Sequence, residues 1–145
     1  MPKYILLESV FKDLFDHSFP FLHGKLDNGT DVNISIKAWF VDNNKIMFVC
    51  DDETIDYKTR VYGTCLVVPY DRDARFQMDG IAEFVSKEAV TKYMITNFNM
   101  LSKIKSPRIF TMSSSSSIHY LTPLDPHDPQ SPFIDTIDKL FLAVE

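Results

Sequence analysis

Asn28-Gly29 decides more about this chain than any other pair of residues. It stands within Asp27-Asn28-Gly29-Thr30, between the extended runs Phe21–Leu26 and Val32–Val41. A type I′ turn, with φ > 0 at both central residues, reverses a chain within two residues, and Asn-Gly is the dipeptide that tolerates it best. The spacing therefore predicts a strand, a turn and a second strand. A further polar break, Asp42-Asn43-Asn44, leads into Lys45–Cys50, whose β-branched and aromatic content reads as a third strand. Residues 21–50 are thus expected to form a three-stranded antiparallel meander.

The flanks follow other periods. Apolar residues at 6, 7, 10, 11, 14 and 15 predict an amphipathic helix over 5–15, ended before Ser18-Phe19-Pro20. After the polar stretch Asp51-Asp52-Glu53, Thr54 is placed to cap a short helix over 55–62, with Gly63 as its left-handed terminator. Thr64–Pro69 and Arg75–Val85 read as the fourth and fifth strands, and Ser86 as the N-cap of a longer helix. Arg108–Met112 is a sixth strand, Ser113–Ser117 a flexible loop, and Ile118–Leu121 a short strand. Prolines 123, 126, 129 and 132 punctuate an irregular segment, and Pro132 opens a terminal helix to Val144. Consecutive strands with tight turns imply antiparallel pairing. The fold class is mostly β (α+β), one domain over 1–145.

Composition narrows the function. Fifteen Lys and Arg against twenty Asp and Glu leave a net charge of −5, without the basic footprint of a nucleic-acid binder. The apolar run near the start, Tyr4–Leu7, is too short for a signal-peptide core or a membrane span, so the expectation is a cytoplasmic protein with no membrane partner. Cys50 and Cys65 lie in apolar runs and read as structural thiols. The four glycines (24, 29, 63, 80) form no phosphate loop or dinucleotide fingerprint, and no Gly-x-Ser-x-Gly elbow occurs. His119 and His127 stand near Asp125 and Asp128, but without metal-ligand spacing, so the expectation is no metal.

One constellation points to an anion. A helix opening at Thr54 would offer free N–H groups, a hydroxyl and, one turn on, Lys58; Lys37 is a further cation within an apolar stretch. An ordinary N-cap with solvent-facing lysines satisfies the same pattern.

The order of parts resembles the FMN-binding split-barrel superfamily, to which pyridoxamine 5′-phosphate oxidase belongs. The resemblance runs from about His17 to Asn97. It is carried by Gly24-Lys25-Leu26-Asp27-Asn28-Gly29, Lys37-Ala38-Trp39-Phe40-Val41, Lys45–Val49, Tyr57-Lys58, Cys65–Val68 and Phe76–Val85. It implies a six-stranded antiparallel split β-barrel with peripheral helices, and FMN bound at a homodimer interface. By position it places the FMN phosphate on Thr54 and Lys58, with Lys37 beside them. The backbone of Ser35, Ile36 and Ala38 and of Val49, Cys50 and Asp51 would line the flavin. Thr54-Ile55-Asp56 stands where the vitamin B6 oxidases carry Ser-Arg-Lys, so the flavin reductase-like members fit better. The expected function is flavin-dependent hydride or electron transfer on a small molecule. The alternatives are a non-enzymatic split barrel that has lost or changed its cofactor, and an unrelated small barrel for a hydrophobic ligand. Twelve Phe, six Tyr and one Trp, many for a small barrel to hide, also favour a dimer.

Overall fold

The Asn28-Gly29 hairpin forms, though with a longer turn than the dipeptide suggests. In the computed structural model, which describes residues 3–144, β2 (Phe21–Lys25) and β3 (Asp31–Ser35) pair antiparallel. Only Gly29 has positive φ (84°), and Leu26 N–H donates to Thr30 O across the loop. The two-residue turn with φ > 0 at both positions lies instead at Asn43-Asn44 (49° and 61°). It joins β4 (Ala38–Asp42) to β5 (Lys45–Cys50), with Asp42 opposite Lys45. Asparagine enters this region at low strain, so Asn-Asn serves as well as Asn-Gly.

The expected strand 32–41 is two strands. The backbone changes partner between adjacent residues: Ile36 N–H donates to Pro20 O (3.0 Å), and Lys37 N–H to Val49 O (2.7 Å). One half of the meander's middle strand therefore pairs with β2, the other with β5. The remaining main strands are β6 (Arg60–Val67), β7 (Arg75–Phe84) and β8 (Arg108–Met112). The antiparallel order is β3-β2-β6-β7-β8-β5-β4. Its two outermost strands are separated in sequence only by Ile36-Lys37, so Ser35 and Ala38 stand at most about 11 Å apart. A flat sheet of seven strands cannot meet that limit, so the sheet curls into an antiparallel half-barrel.

β9 (Ser117–Pro123) pairs with the first half of β7, whose second half takes β8, and β10 (Phe133–Asp135) pairs with β9. The described residues thus hold a nine-stranded main sheet. Leu22, Phe48, Cys65, Phe76, Phe84 and Phe110 fill its concave side. Helix α1 (Glu8–Asp16) adds Phe11, whose ring meets Trp39 at 4.7 Å and Phe76 at 5.2 Å. On the convex side, Met47, Val49 and Ile109 lie beneath Val90 of α2 (Lys87–Thr96) and Leu101 of α3 (Phe98–Leu101). Both faces of β5 are therefore covered, which accounts for its unbroken apolar run. Ser86 caps α2 as expected, accepting from Ala89 N–H.

Three helix expectations are corrected. Residues 55–62 form no helix: Lys58 has φ 63°, outside the right-handed region, and Arg60–Tyr62 belong to β6. Gly63 ends nothing; it lies mid-strand between Gly24 on β2 and Gly80 on β7. The helix expected over 132–144 is replaced by β10, a 3₁₀ turn (Ile137–Lys139) and β11 (Phe141–Val144). The first helix starts at Glu8, because β1 (Lys3–Leu6) pairs with β11. Ser113–Ser117 is not a featureless loop either. Ser113 N–H donates to Ile81 O, and the Ser113 hydroxyl meets those of Ser115 and Ser116 at 3.2 and 3.0 Å.

Candidate functional site

The partner switch at Ile36-Lys37 opens a groove beside it. Ser18, Phe19, Phe21, Asn33, Ser35 and Lys37 line a space of about 400 Å³. Phe19 is 78% exposed. Lys37 is exposed and has no ion-pair partner among the described residues. Ile36 supplies the floor and belongs to the core. Three of the residues expected around a flavin (Ser35, Ile36 and Lys37) therefore share one cavity wall.

The others separate. Ala38 packs against the cluster under α2 and α3, opposite Val49. The side chains of Val49 and Cys50 are fully buried, on opposite faces of β5. Burial pushes the Cys50 thiol up to about 11, with the Asp52 and Asp51 carboxylates adding to it. Cys65 is raised further, by burial alone. Both cysteines are free. Asp51 is exposed at the end of β5.

Thr54 and Lys58 sit on a turn. Asp52 accepts hydrogen bonds from both the backbone N–H and the hydroxyl of Thr54, so that hydroxyl already has a carboxylate partner. Asp51, Glu53 and Asp56 are exposed on the same segment. With no helix there, no row of free N–H groups offsets these charges, and a phosphate on this turn would meet net repulsion. Lys58 N–H donates to Val85 O at 3.4 Å, which holds the turn against the end of β7.

Arg108, opposite Cys50 at the start of β8, was not among the expected ligands. Its Nε donates to Ile55 O (2.8 Å) and its Nη1 to Pro107 O (3.4 Å). Its guanidinium lies 4.1 Å from the centre of the Tyr57 ring. Tyr57 and Arg108 form part of a second groove of about 480 Å³, with Glu53, Lys87, Thr91 and Lys105. Nothing local in the sequence marks Arg108, because Ile55 and Tyr57, and Lys87 and Thr91, come from two distant segments.

No protein-family model, curated protein or solved structure matches this chain. His119 Nδ1 lies 2.7 Å from Asp135 Oδ2 and ties β9 to β10. No group of three or more His, Cys, Asp or Glu among the described residues could hold a metal ion. No helix among them is long and apolar enough to cross a membrane.

Proposed function

We propose that this chain is a split-barrel module that binds FMN in the groove at the Ile36-Lys37 bend. The carrying observation is that an unpaired cation, Lys37, shares that groove with the rings of Phe19 and Phe21, the hydroxyl of Ser35 and the amide of Asn33, while the Ser18 hydroxyl donates to Phe15 O. An aromatic anion needs those three kinds of contact: an apolar surface for its ring, donors for its carbonyls and a charge for its phosphate. Topology supports the reading. With β3 and β4 taken as one bent strand, six strands (β2, the bent strand, β5, β8, β7 and β6) follow one another round the curl.

When bound, the flavin supplies hydride or electron transfer to a small molecule. The chain's own residues bind and orient it: Lys37 holds the phosphate, Asn33 and Ser35 hydrogen-bond it, and Phe19 covers it. In this reading the groove is closed by a second copy. Exposed Phe19 and Tyr70, with ring centres 5.6 Å apart, form an apolar rim that a homodimer would cover. The acidic turn at 51–56 favours a second reading, a binding module without redox chemistry, because it leaves the alternative phosphate position repulsive.

The test is a titration of the purified full chain with FMN and riboflavin. Lys37→Ala is expected to weaken FMN about tenfold, one charge-assisted hydrogen bond, and to leave riboflavin unchanged. Phe19→Ala should weaken both. Lys58→Ala should change neither; a selective loss of FMN there would move the phosphate to the 53–58 turn. If neither flavin binds, the flavin reading fails. Light scattering should report twice the 16.7 kDa chain mass.

A further inference from the structure

Lys87, Lys105 and Arg108 come from three places: the start of α2, the loop before β8 and the first residue of β8. They share one groove, and none has an ion-pair partner among the described residues. Other cations, Lys37 among them, also lack an ion pair among the described residues; these three are set apart by sharing one groove. Lys12, Lys25 and Arg72, by contrast, each hold an aspartate.

Arg108 is the best-built of the three. It is half-buried, yet its partners are two carbonyl oxygens and a ring face, all of them neutral. Its side chain is therefore oriented without being neutralised, and Nη2 keeps its donors. A planar guanidinium held in this way presents a fork that matches phosphate oxygens. The hydroxyl of Ser106 lines the same groove, that of Thr91 being held by Lys87 O, and Val90, Met94 and Pro107 give it an apolar side. At about 480 Å³ the space far exceeds a bare phosphate. Carboxylates oppose an anion here: Glu53 lines the groove, and Asp51, Asp52 and Asp56 lie on the same turn, so the three cations must outweigh them.

We propose that this groove binds a small organic phosphate, with the phosphate on Arg108, Lys87 and Lys105 and the organic part against Val90, Met94 and Pro107. This site is separate from the groove at Ile36-Lys37 and does not rest on the flavin reading.

Calorimetric titration of the full chain with inorganic phosphate, inorganic pyrophosphate and phenyl phosphate at low ionic strength tests it. Saturable binding that weakens with added salt is expected, as is tighter binding of phenyl phosphate than of inorganic phosphate. Lys87→Gln and Lys105→Gln should each weaken pyrophosphate about 2- to 5-fold, the scale of an exposed ion pair. Glu53→Gln should strengthen it by a similar factor, a gain that a purely structural role for these residues would not produce. Arg108→Gln should cost about tenfold or more. If that variant does not fold, the lysine and glutamate variants decide. Lys139→Gln, which lines neither groove, should leave pyrophosphate unchanged, and the flavin reading stands or fails on its own titration. The proposal is overturned by absence of saturable binding, by lysine and glutamate variants that all match the parent, or by phenyl phosphate binding no better than inorganic phosphate.

Discussion

A methyl group added at Gly63 tests how tightly the half-barrel is drawn. Gly24, Gly63 and Gly80 lie side by side on β2, β6 and β7. A Cβ on Gly63 would stand 2.1 Å from the carbonyl oxygen of His23 and 2.5 Å from the Cα of Gly24. Ordinary contact starts near 3.4 Å, and the obstacle is backbone, so β2 must retreat by more than an ångström. That displacement takes an N–H···O bond of about 2.9 Å beyond bonding distance. Two ladder bonds at about 1 kcal/mol each, plus overpacking of about 1–3 kcal/mol, give a loss of about 3–5 kcal/mol for Gly63→Ala. For a domain of this size that lowers Tm by roughly 10 °C. Urea unfolding followed by circular dichroism and by the fluorescence of Trp39, the only tryptophan, measures it. Gly29→Ala is the control: its Cβ would meet nothing within 4 Å, leaving only the cost of φ 84°, about 1 kcal/mol. If Gly63→Ala costs no more than Gly29→Ala, the close approach of β2 to β6 is not what requires glycine.

Cys50 and Cys65 should resist a thiol reagent at pH 8 in the native protein and react fully in denaturant, since burial disfavours both thiolates; rapid native labelling of either would contradict that. Ser86→Ala should cost about 1 kcal/mol in urea unfolding by removing the cap of α2, whereas Ser86→Asp should restore most of it. The Tyr93 hydroxyl donates to Asp42 at 2.7 Å, and burial followed by that bond pushes its ionisation up to about 12. An unfolded tyrosine ionises near 10, so the native state holds the extra proton between those values. Stability from this group is complete below pH 10 and is lost as pH rises toward 12. Tyr93→Phe should flatten that alkaline decline, and an unchanged slope in the variant would show that other groups cause it.

The sequence by itself determined the local events. Strands at 21–25, 45–50, 75–84 and 108–112 follow from short-range alternation and β-branched content. The cap at Ser86 needs only residues three positions apart, and the burial of both cysteines follows from the apolar runs around them. Of the proposed flavin groove, Ser35, Ile36 and Lys37 were legible, because they lie within one stretch of chain. Tertiary structure decided everything that depends on a distant partner. The helical spacing over 55–62 is interrupted at its end, where Arg60–Tyr62 pair with β7 and Tyr62 also with β2. The 132–144 segment has a helical apolar stripe, but its last residues pair with β1, at the opposite end of the chain. Gly63 reads equally well as a helix terminator or as a close-approach glycine until Gly24 and Gly80 are seen beside it. Arg108 depends on Ile55, Tyr57 and Lys87, which no window of neighbouring residues contains. Periodicity reports how a segment can bury its own apolar face, but only the folded chain supplies the surface against which it is buried.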